Sequence, residues 1–389
     1  MSHLLDITDL PRFDESIKKK EYHTYLPYTE SYNSSDTIRI SVQNQDLILL
    51  PSESFIYIEG TLAKDDGTFP PNNAYQFVNN CVAFMFDDIR YTLNGEEIEH
   101  SRNVGITTSL KNYISLDRNG SNRLRNAGWR LEDNGFIRLG RKEFNFCVPL
   151  KMLLGFAEDY NKIISNAKHE LILTRARTNN NSVYITNNDR WNLIIDKITW
   201  KVPHVVLNDA ERLKLYQTIQ SGRSLKMGFR CWDLYEYPNI PKSTHNIWRV
   251  KTTTQLEKPR YIIFALQSDK LNNTQKNPSH FDHCKLTNLQ VHLNSEIYPY
   301  DRLNLSFDQN RIGVLYEMYA RFVESYYGYR SYPLLDINNF QTVAPMVVVD
   351  CSHQNESTKS GPVDVMIEFE TAVDGIGDNT SAFCLLLHD

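Results

Sequence analysis

The sequence predicts an all-β protein built from two similar antiparallel sandwiches in tandem, and three observations carry that prediction. TLNGEEIEHSR at 92–102 recurs as HLNSEIYPYDR at 292–302. Leu93-Asn94 and Glu96 stand again as Leu293-Asn294 and Glu296, with Arg102 and Arg302 each eight residues after its asparagine. The offset of 200 residues is near half of a 389-residue chain, a length beyond what one hydrophobic core usually supports. Finally, 22 Tyr and 18 Phe among many asparagine clusters favour strands joined by polar turns. Crossover helices, which parallel strands need, are missing after most strands.

Taken in order, residues 1–30 read as an arm: mixed charge, the run Lys18-Lys19-Lys20, then YHTYLPY. TIRISVQNQDLILLPSESFIYIEGTL (37–62) alternates at Ile38, Ile40 and Val42 and resumes at Phe55–Ile58, which gives two strands. The loop DDGTFPPNN (65–73) is dense in turn formers. A further strand is expected through 82–86 and 89–93, ending in the hairpin signal Asn94-Gly95. Leu110, Tyr113 and Ile114 then take helical spacing, followed by a basic loop with Arg118, Arg123, Arg125 and Arg130. FNFCVPL (144–150) and HELILTRA (169–176) read as strands flanking a short helix in 154–165. TNNNSVYITNNDR (178–190) reads as an exposed turn, and WNLIIDKITWKV as a strand. A short helix capped by Asn208 or Asp209 carries Leu213, Tyr216 and Ile219 on one face. LKMGFRCW (225–232) completes the first half as a strand, and the two prolines of PNIPKST (238–244) mark a linker.

The second half repeats this order. NIWRV, Pro259 and YIIFAL follow the pattern of TIRISV, Pro51 and FIYIEG; Ile38 to Pro51 is 13 residues and Ile247 to Pro259 is 12. After Arg302 a helix presents Ile312, Leu315, Tyr319, Phe322, Val323 and Tyr326, with Gly328 at its C-cap. APMVVVD, VDVMIEFE and FCLLLHD supply the last strands. The expected partition is an arm (1–30), a first sandwich (31–237) and a second (238–389). Eight strands per half with long helix-bearing joins fit a jelly roll, in which two four-stranded sheets fold face to face. The fold class is therefore two tandem antiparallel eight-stranded jelly rolls with a few short helices in long loops.

TIRISVQNQDLILLPSESFIYIEGTL, LNGEEIEHSR, LLGFAEDYNKIISNAKHELILTRART, WDLYEYPNIPKST, QLEKPRYIIFALQ, HLNSEIYPYDRLNL and DCSHQNESTKSGPVDVMIEFE together resemble the double jelly-roll-like proteins of insect genomes and related virus-like elements. Those are similar to the major capsid proteins of the Polinton and adintovirus branch of double-stranded DNA viruses, and the similarity runs from about Tyr22 to the end. The resemblance implies a homotrimer of pseudo-hexagonal outline, contacts with neighbouring capsid trimers and with penton or minor capsid proteins, and an icosahedral shell. It also implies location in the virion after synthesis in the host cytoplasm or nucleus, and contact with a host receptor or glycan through exposed loops. In such relatives the chain is expected to continue beyond the Leu-His-Asp at which this one ends. The alternative is a tandem β-sandwich module that binds glycans, or a host-retained interaction protein with no shell-forming role.

Composition and motifs narrow the function classes. A formal net charge of −5 argues against specific nucleic-acid binding, which needs clustered cations facing phosphates. The six cysteines include no C-x-x-C and sit beside apolar neighbours, as buried free thiols of a reducing compartment do. MSHLLDITDL lacks the basic and apolar regions of a signal peptide, so secretion by that route is not expected, and the sequons at Asn119 and Asn379 would go unused. No apolar run approaches the roughly 18 residues that span a bilayer. For catalysis, no P-loop, G-x-G-x-x-G or G-x-S-x-G occurs. His280, Asp282, His283 and Cys284 in HFDHC come nearest to a metal motif, yet an extended segment points residues i and i+3 to opposite faces. No enzyme, cofactor or metal is expected. Leu93, Asn94, Glu96, Arg102, Leu293, Asn294, Glu296 and Arg302 are read as a repeated structural support, with turn asparagines and arginines that pair locally. The aromatics of SYYGYR (325–330) and YEYP (235–238) are expected to pack between subunits rather than to bind sugars.

Overall fold

The computed structural model describes residues 16–43, 47–69, 74–186, 190–250, 259–294, 296–353 and 363–388. Residues 1–15 of the expected arm, the tip of the 65–73 loop and Ser295 of the second repeat copy lie outside them. The first half runs through β1 (Ile17–Tyr25), β2 (Thr37–Val42), β3 (Ile48–Leu49), β4 (Phe55–Lys64), β5 (Tyr75–Val78), β6 (Phe86–Leu93) and β7 (Glu96–Arg102). Helices α1 (Val104–Ser115) and α2 (Arg118–Arg123) follow. Then come β8 (Phe136–Arg138), β9 (Glu143–Pro149), α3 (Gly155–Asp159), β10 (Ile164–Ser165), β11 (His169–Arg175), β12 (Val183–Ile185) and β13 (Trp191–Leu207). Helix α4 (Asp209–Gln220) leads into β14 (Cys231–Tyr237), β15 (His245–Val250), β16 (Pro259–Ser268), β17 (Leu286–Leu293) and β18 (Glu296–Tyr298). The chain closes with α5 (Gly313–Ala320), α6 (Phe322–Tyr327), α7 (Ile337–Val343), β19 (Met346–Asp350), β20 (Val365–Thr371) and β21 (Thr380–His388).

Two sheets make the first roll: β2-β11-β6-β7, and β10-β3-β13-β4-β9 with β1 paired along β13. Ile38, Ile40 and Val42 of β2 turn inward while Thr37 and Arg39 face solvent, as strict alternation on a half-buried sheet requires. Across the sandwich, Tyr91 of β6 meets Trp200 of β13 edge to face at 6.4 Å. A small sheet, β12-β5-β8, flanks the roll. The second roll pairs β15-β20-β17-β18 with β14-β21-β16-β19, and Phe264 of β16 meets Phe369 of β20 at 5.1 Å. Substituting strands in chain order maps one roll on the other: β2, β11, β6 and β7 correspond to β15, β20, β17 and β18, while β1, β13, β4 and β9 correspond to β14, β21, β16 and β19. Nearly every residue of β16 and β21 is buried. Helices cover the outer face of their sheet, where Tyr261 meets Phe322 at 5.1 Å, so these strands read as continuous apolar runs.

The structure departs from the sequence reading at several places. Within the expected arm, residues 17–25 form β1, joined to β13 by a backbone ladder from Ile17↔Leu207 to Tyr25↔Trp200. Eight of its nine residues are exposed, so no burial pattern reveals it. Residues 231–237 fall inside the range read as the first sandwich, yet β14 hydrogen-bonds to β21 from Cys231↔His388 to Tyr237↔Ala382 and belongs to the second. The prolines that suggested a linker at 238–244 lie in the turn between β14 and β15. Strand character begins only at Cys231, not at Leu225. Residues 83–85 coil into a 3-10 turn after Asn80, which takes φ +64. The stretch read as an exposed turn holds β12, with Val183 and Ile185 buried. Helix α4 is capped as expected, Asn208 Oδ1 accepting Glu211 N at 2.8 Å, but none of its residues is buried. Gly328 does end α6 in the left-handed region, φ +75, its N donating to Glu324 O. No helix among the described residues is long and apolar enough to cross a membrane.

Candidate assembly surfaces and the seam between the rolls

The Leu-Asn and Glu of the repeat flank the turn of the same hairpin in each roll. Asn94 and Asn294 take φ +54 and +55, a left-handed conformation that asparagine tolerates better than other residues with a Cβ. Each clamps the neighbouring strand twice. Asn94 N donates to Lys168 O and its Oδ1 accepts Lys168 N at 2.8 Å; Asn294 N donates to Asp364 O and its Oδ1 accepts Asp364 N at 2.9 Å. Leu93 pairs with Glu96 and Leu293 with Glu296 across the two turns. The arginines differ. Arg302 forms an ion pair with Glu370 of β20, whereas Arg102 ends β7 and lines a cleft against the second roll.

That cleft belongs to the seam between the rolls, where the polar chemistry of this chain concentrates. Lys111 lies in the interior of α1 with its side chain 1% exposed, and its Nζ reaches both oxygens of Glu158 at 2.9–3.0 Å. It also donates to Tyr327 Oη at 2.7 Å and sits 4.3 Å over the Trp232 ring. Tyr327 in turn donates to Glu158. The first roll thus supplies the ion pair and the second roll its hydroxyl and aromatic lid. Burial lowers the pKa of Lys111, and Glu158 opposes that by holding the charge. Beside it, Asp159 grips Arg230 three ways at 2.7–2.9 Å, through Nε, Nη2 and the backbone N, while the guanidinium stacks 3.6 Å over Tyr326.

Glu99 of β7 is 5% exposed and accepts Gly155 N and Phe156 N at 2.8 and 2.7 Å, capping α3 from across the roll. Burial pushes its carboxyl up to about 8, against the pull of those two donors, with Asp233 and Glu158 adding repulsion. It borders a cleft of about 330 Å³ between β7 and β14, where Glu97, His100, Arg102, Asp233 and His388 also stand. Gly155 permits the close approach there, since a Cβ would lie 2.1 Å from Arg230 O and 2.9 Å from Trp232 Nε1. A second junction joins the rolls at 272–280: Ile185 N donates to Thr274 O, Asn272 N to Asn181 Oδ1, and Asn277 Nδ2 to Asn134 O.

Of the aromatics of 325–330, Tyr326 and Tyr327 pack at the seam against Arg230 and Lys111 and Tyr329 stays 55% exposed, while of 235–238 Tyr237 meets Trp248 within the second roll. The side chains of HFDHC go to separate neighbours. His280 faces Asn277, Asp282 accepts Ser268 N and Lys270 Nζ, and His283 stacks on Phe307 at 4.4 Å. Among the described residues no three His, Cys, Asp or Glu side chains group to hold a metal ion, and all six cysteines are free thiols. Of the arginine loop, Arg118 and Arg123 bound α2, capped by Asp117, while Arg125 and Arg130 pair with Glu132. The sequence reading missed Lys111, Glu158, Glu99 and Arg230. A lone lysine inside the otherwise uncharged α1 was a signal for Lys111; nothing local marks the other three.

A fold of two side-by-side jelly rolls in one chain defines a class of protein, and the sequence agrees with it. The family profile of the double jelly roll-like domain matches residues 75–389, so the chain belongs to that family. The structure is similar to the Faustovirus major capsid protein with a TM-score of 0.62 at 9% identity, covering 99% of this chain and 91% of that one. It is similar to a chain of the quasi-atomic PBCV-1 virus capsid (0.59, 11% identity, 98% and 95% covered) and to the mavirus major capsid protein (0.53, 11% identity, 99% and 90% covered). At such identities the likeness shows the fold. No curated protein matches in sequence.

Proposed function

We propose that the chain is a major capsid protein whose trimers tile an icosahedral viral or virus-like shell, with a mechanical and non-enzymatic role. The observation that supports this best is that two rolls in one chain align with the Faustovirus major capsid protein over 99% of this chain's length. In this reading roll one runs from β1 to β13, roll two from β14 to β21, and α4 joins them. The buried ion pairs of the seam fix the angle between the rolls, so that each chain presents one rigid block to its neighbours. The repeated Asn94 and Asn294 clamps, with Leu93, Glu96, Leu293 and Glu296, serve as equivalent supports of a duplicated roll. Resemblance to the double jelly-roll proteins of insect genomes supports reading the chain as a member of the Polinton and adintovirus branch. Location in the virion and contacts with pentons, minor capsid proteins and a host receptor or glycan follow from the same reading. Mass measurement of the purified chain and electron microscopy test it: a mass of three subunits, or particles, is expected. A chain that stays monomeric at high concentration would overturn it.

A further inference from the structure

A cleft of about 720 Å³ opens on the first roll, between the sheet that carries β1, β4 and β9 and the turn after α2. Its floor follows from strand alternation: Phe55 of β4 and Cys147 of β9 line the cleft, while their neighbours Ile56 and Phe146 are buried inside the roll. Tyr22 of β1, 50% exposed, stands beside Phe55 with ring centroids 5.4 Å apart and planes tilted by 54°. The charge is one-sided. Among the described residues that line the cleft the only carboxylate is Glu53, and Lys20 already neutralises it. Arg123 and Lys151 remain, both exposed and neither paired with a carboxylate among the described residues, whereas Lys111, Arg125, Arg130 and Arg230 each have an acid partner. In a chain of net charge −5, two unpaired cations on one cleft reverse the sign of the field there. Asn126 and Asn161 add amides to the rim; Asn161 Nδ2 donates to Glu158 O at 3.1 Å, which leaves its Oδ1 as an acceptor.

We propose that this cleft binds an acidic saccharide, with the sugar's carboxylate or sulfate held by Arg123 and Lys151, the apolar face of its ring on Tyr22, and its hydroxyls bonded to Asn126 and Asn161. A guanidinium fork beside an ammonium recognises a carboxylate or sulfate through charge-assisted hydrogen bonds. Two rings tilted by 54° form no parallel-walled slot for a flat nucleobase, while one exposed ring suffices for the C–H face of a pyranose, so a sugar fits the cleft better than a nucleotide. The inference rests on the glycan contact in the reading above and gives that contact a site.

Calorimetry on the full chain tests it, with sialyllactose as the carboxylate probe, a heparin disaccharide as the sulfate probe, and lactose, inorganic sulfate and AMP as controls. At least one acidic sugar should bind about tenfold or more tightly than every control, and Arg123→Gln and Lys151→Gln should each weaken that binding by about tenfold or more while the melting temperature stays unchanged. The bound sugar should also slow alkylation of the free Cys147 thiol in the cleft and leave that of Cys231 as it was. Lactose, sulfate or AMP bound as tightly as the acidic sugars, undiminished binding by the two glutamine variants, or an unprotected Cys147 would overturn the site. A three-subunit mass with neither acidic sugar bound would overturn it and leave the capsomer reading standing; sugar binding by a chain that stays monomeric would do the reverse.

Discussion

Glu158→Gln isolates the energetics of the seam. The amide keeps the shape of the carboxylate and one acceptor oxygen but removes the negative charge that balances the Lys111 ammonium, 1% exposed, leaving it neutral partners such as the Tyr327 hydroxyl and the Trp232 face. Stranding a buried charge costs about 3–5 kcal/mol. The lysine can escape by deprotonating, which caps the cost near 5 kcal/mol at pH 7, from 1.36 kcal/mol per unit below an ordinary lysine value of about 10.4. Lys111→Met should cost less, about 1–3 kcal/mol, because Glu158 keeps its Tyr327 bond and is 21% exposed. The double variant should then lie within about 1 kcal/mol of Lys111→Met, a coupling of about 2 kcal/mol or more. Urea unfolding followed by tryptophan fluorescence suits the test, since Trp232 covers the pair. Additive single costs, or a Glu158→Gln loss under about 1 kcal/mol, would refute the claim that this ion pair is a buried, interdependent unit. Raising the pH toward 10 should shrink the Glu158→Gln deficit as the lysine loses its proton in the unfolded chain as well.

Three further outcomes are expected. Glu99, held up to about 8 by burial, keeps a proton that the unfolded carboxyl releases near 4.5, so its contribution is fully present below pH 4.5 and lost as pH rises through 8. Glu99→Gln should therefore gain on the wild type between pH 5 and 8 in melting scans, while His169 and His280, held down to about 4 by burial, make both proteins lose stability as pH falls from 6.5 toward 4. Asn94→Ala and Asn294→Ala should each cost about 1.5–3 kcal/mol, one left-handed residue plus one side-chain hydrogen bond, and the glycine variants clearly less; unequal orders at the two sites in denaturant titrations would contradict their equivalence. Gly155→Ala would force a Cβ within 2.1 Å of Arg230 O, so a loss of at least about 3 kcal/mol is expected, with faster hydrogen exchange at Phe156 N; a neutral effect would mean that α3 and β14 are not pressed together.

The chain's local patterns determined much of this protein. Period-two alternation, as at Ile38, Ile40 and Val42, set the inward faces of strands, and the turn chemistry of Asn94 and Asn294 set two matching hairpins. Their recurrence at half the chain length gave a tandem β fold without any view of the packing. These signals are legible because each is written in residues that touch one another along one stretch of chain. Tertiary structure alone decided the rest. β1 carries no burial alternation, being held by backbone bonds to a strand some 180 residues away in sequence, so it reads as an arm. β14 sits next to the first roll in sequence and yet pairs with β21, because the backbone ladder of an edge strand records no identity in its side chains. Lys111 and Glu158 lie 47 residues apart, and Tyr327 joins them from the other roll. Desolvation at the seam gives these groups their role, and it exists only once both rolls have closed around them.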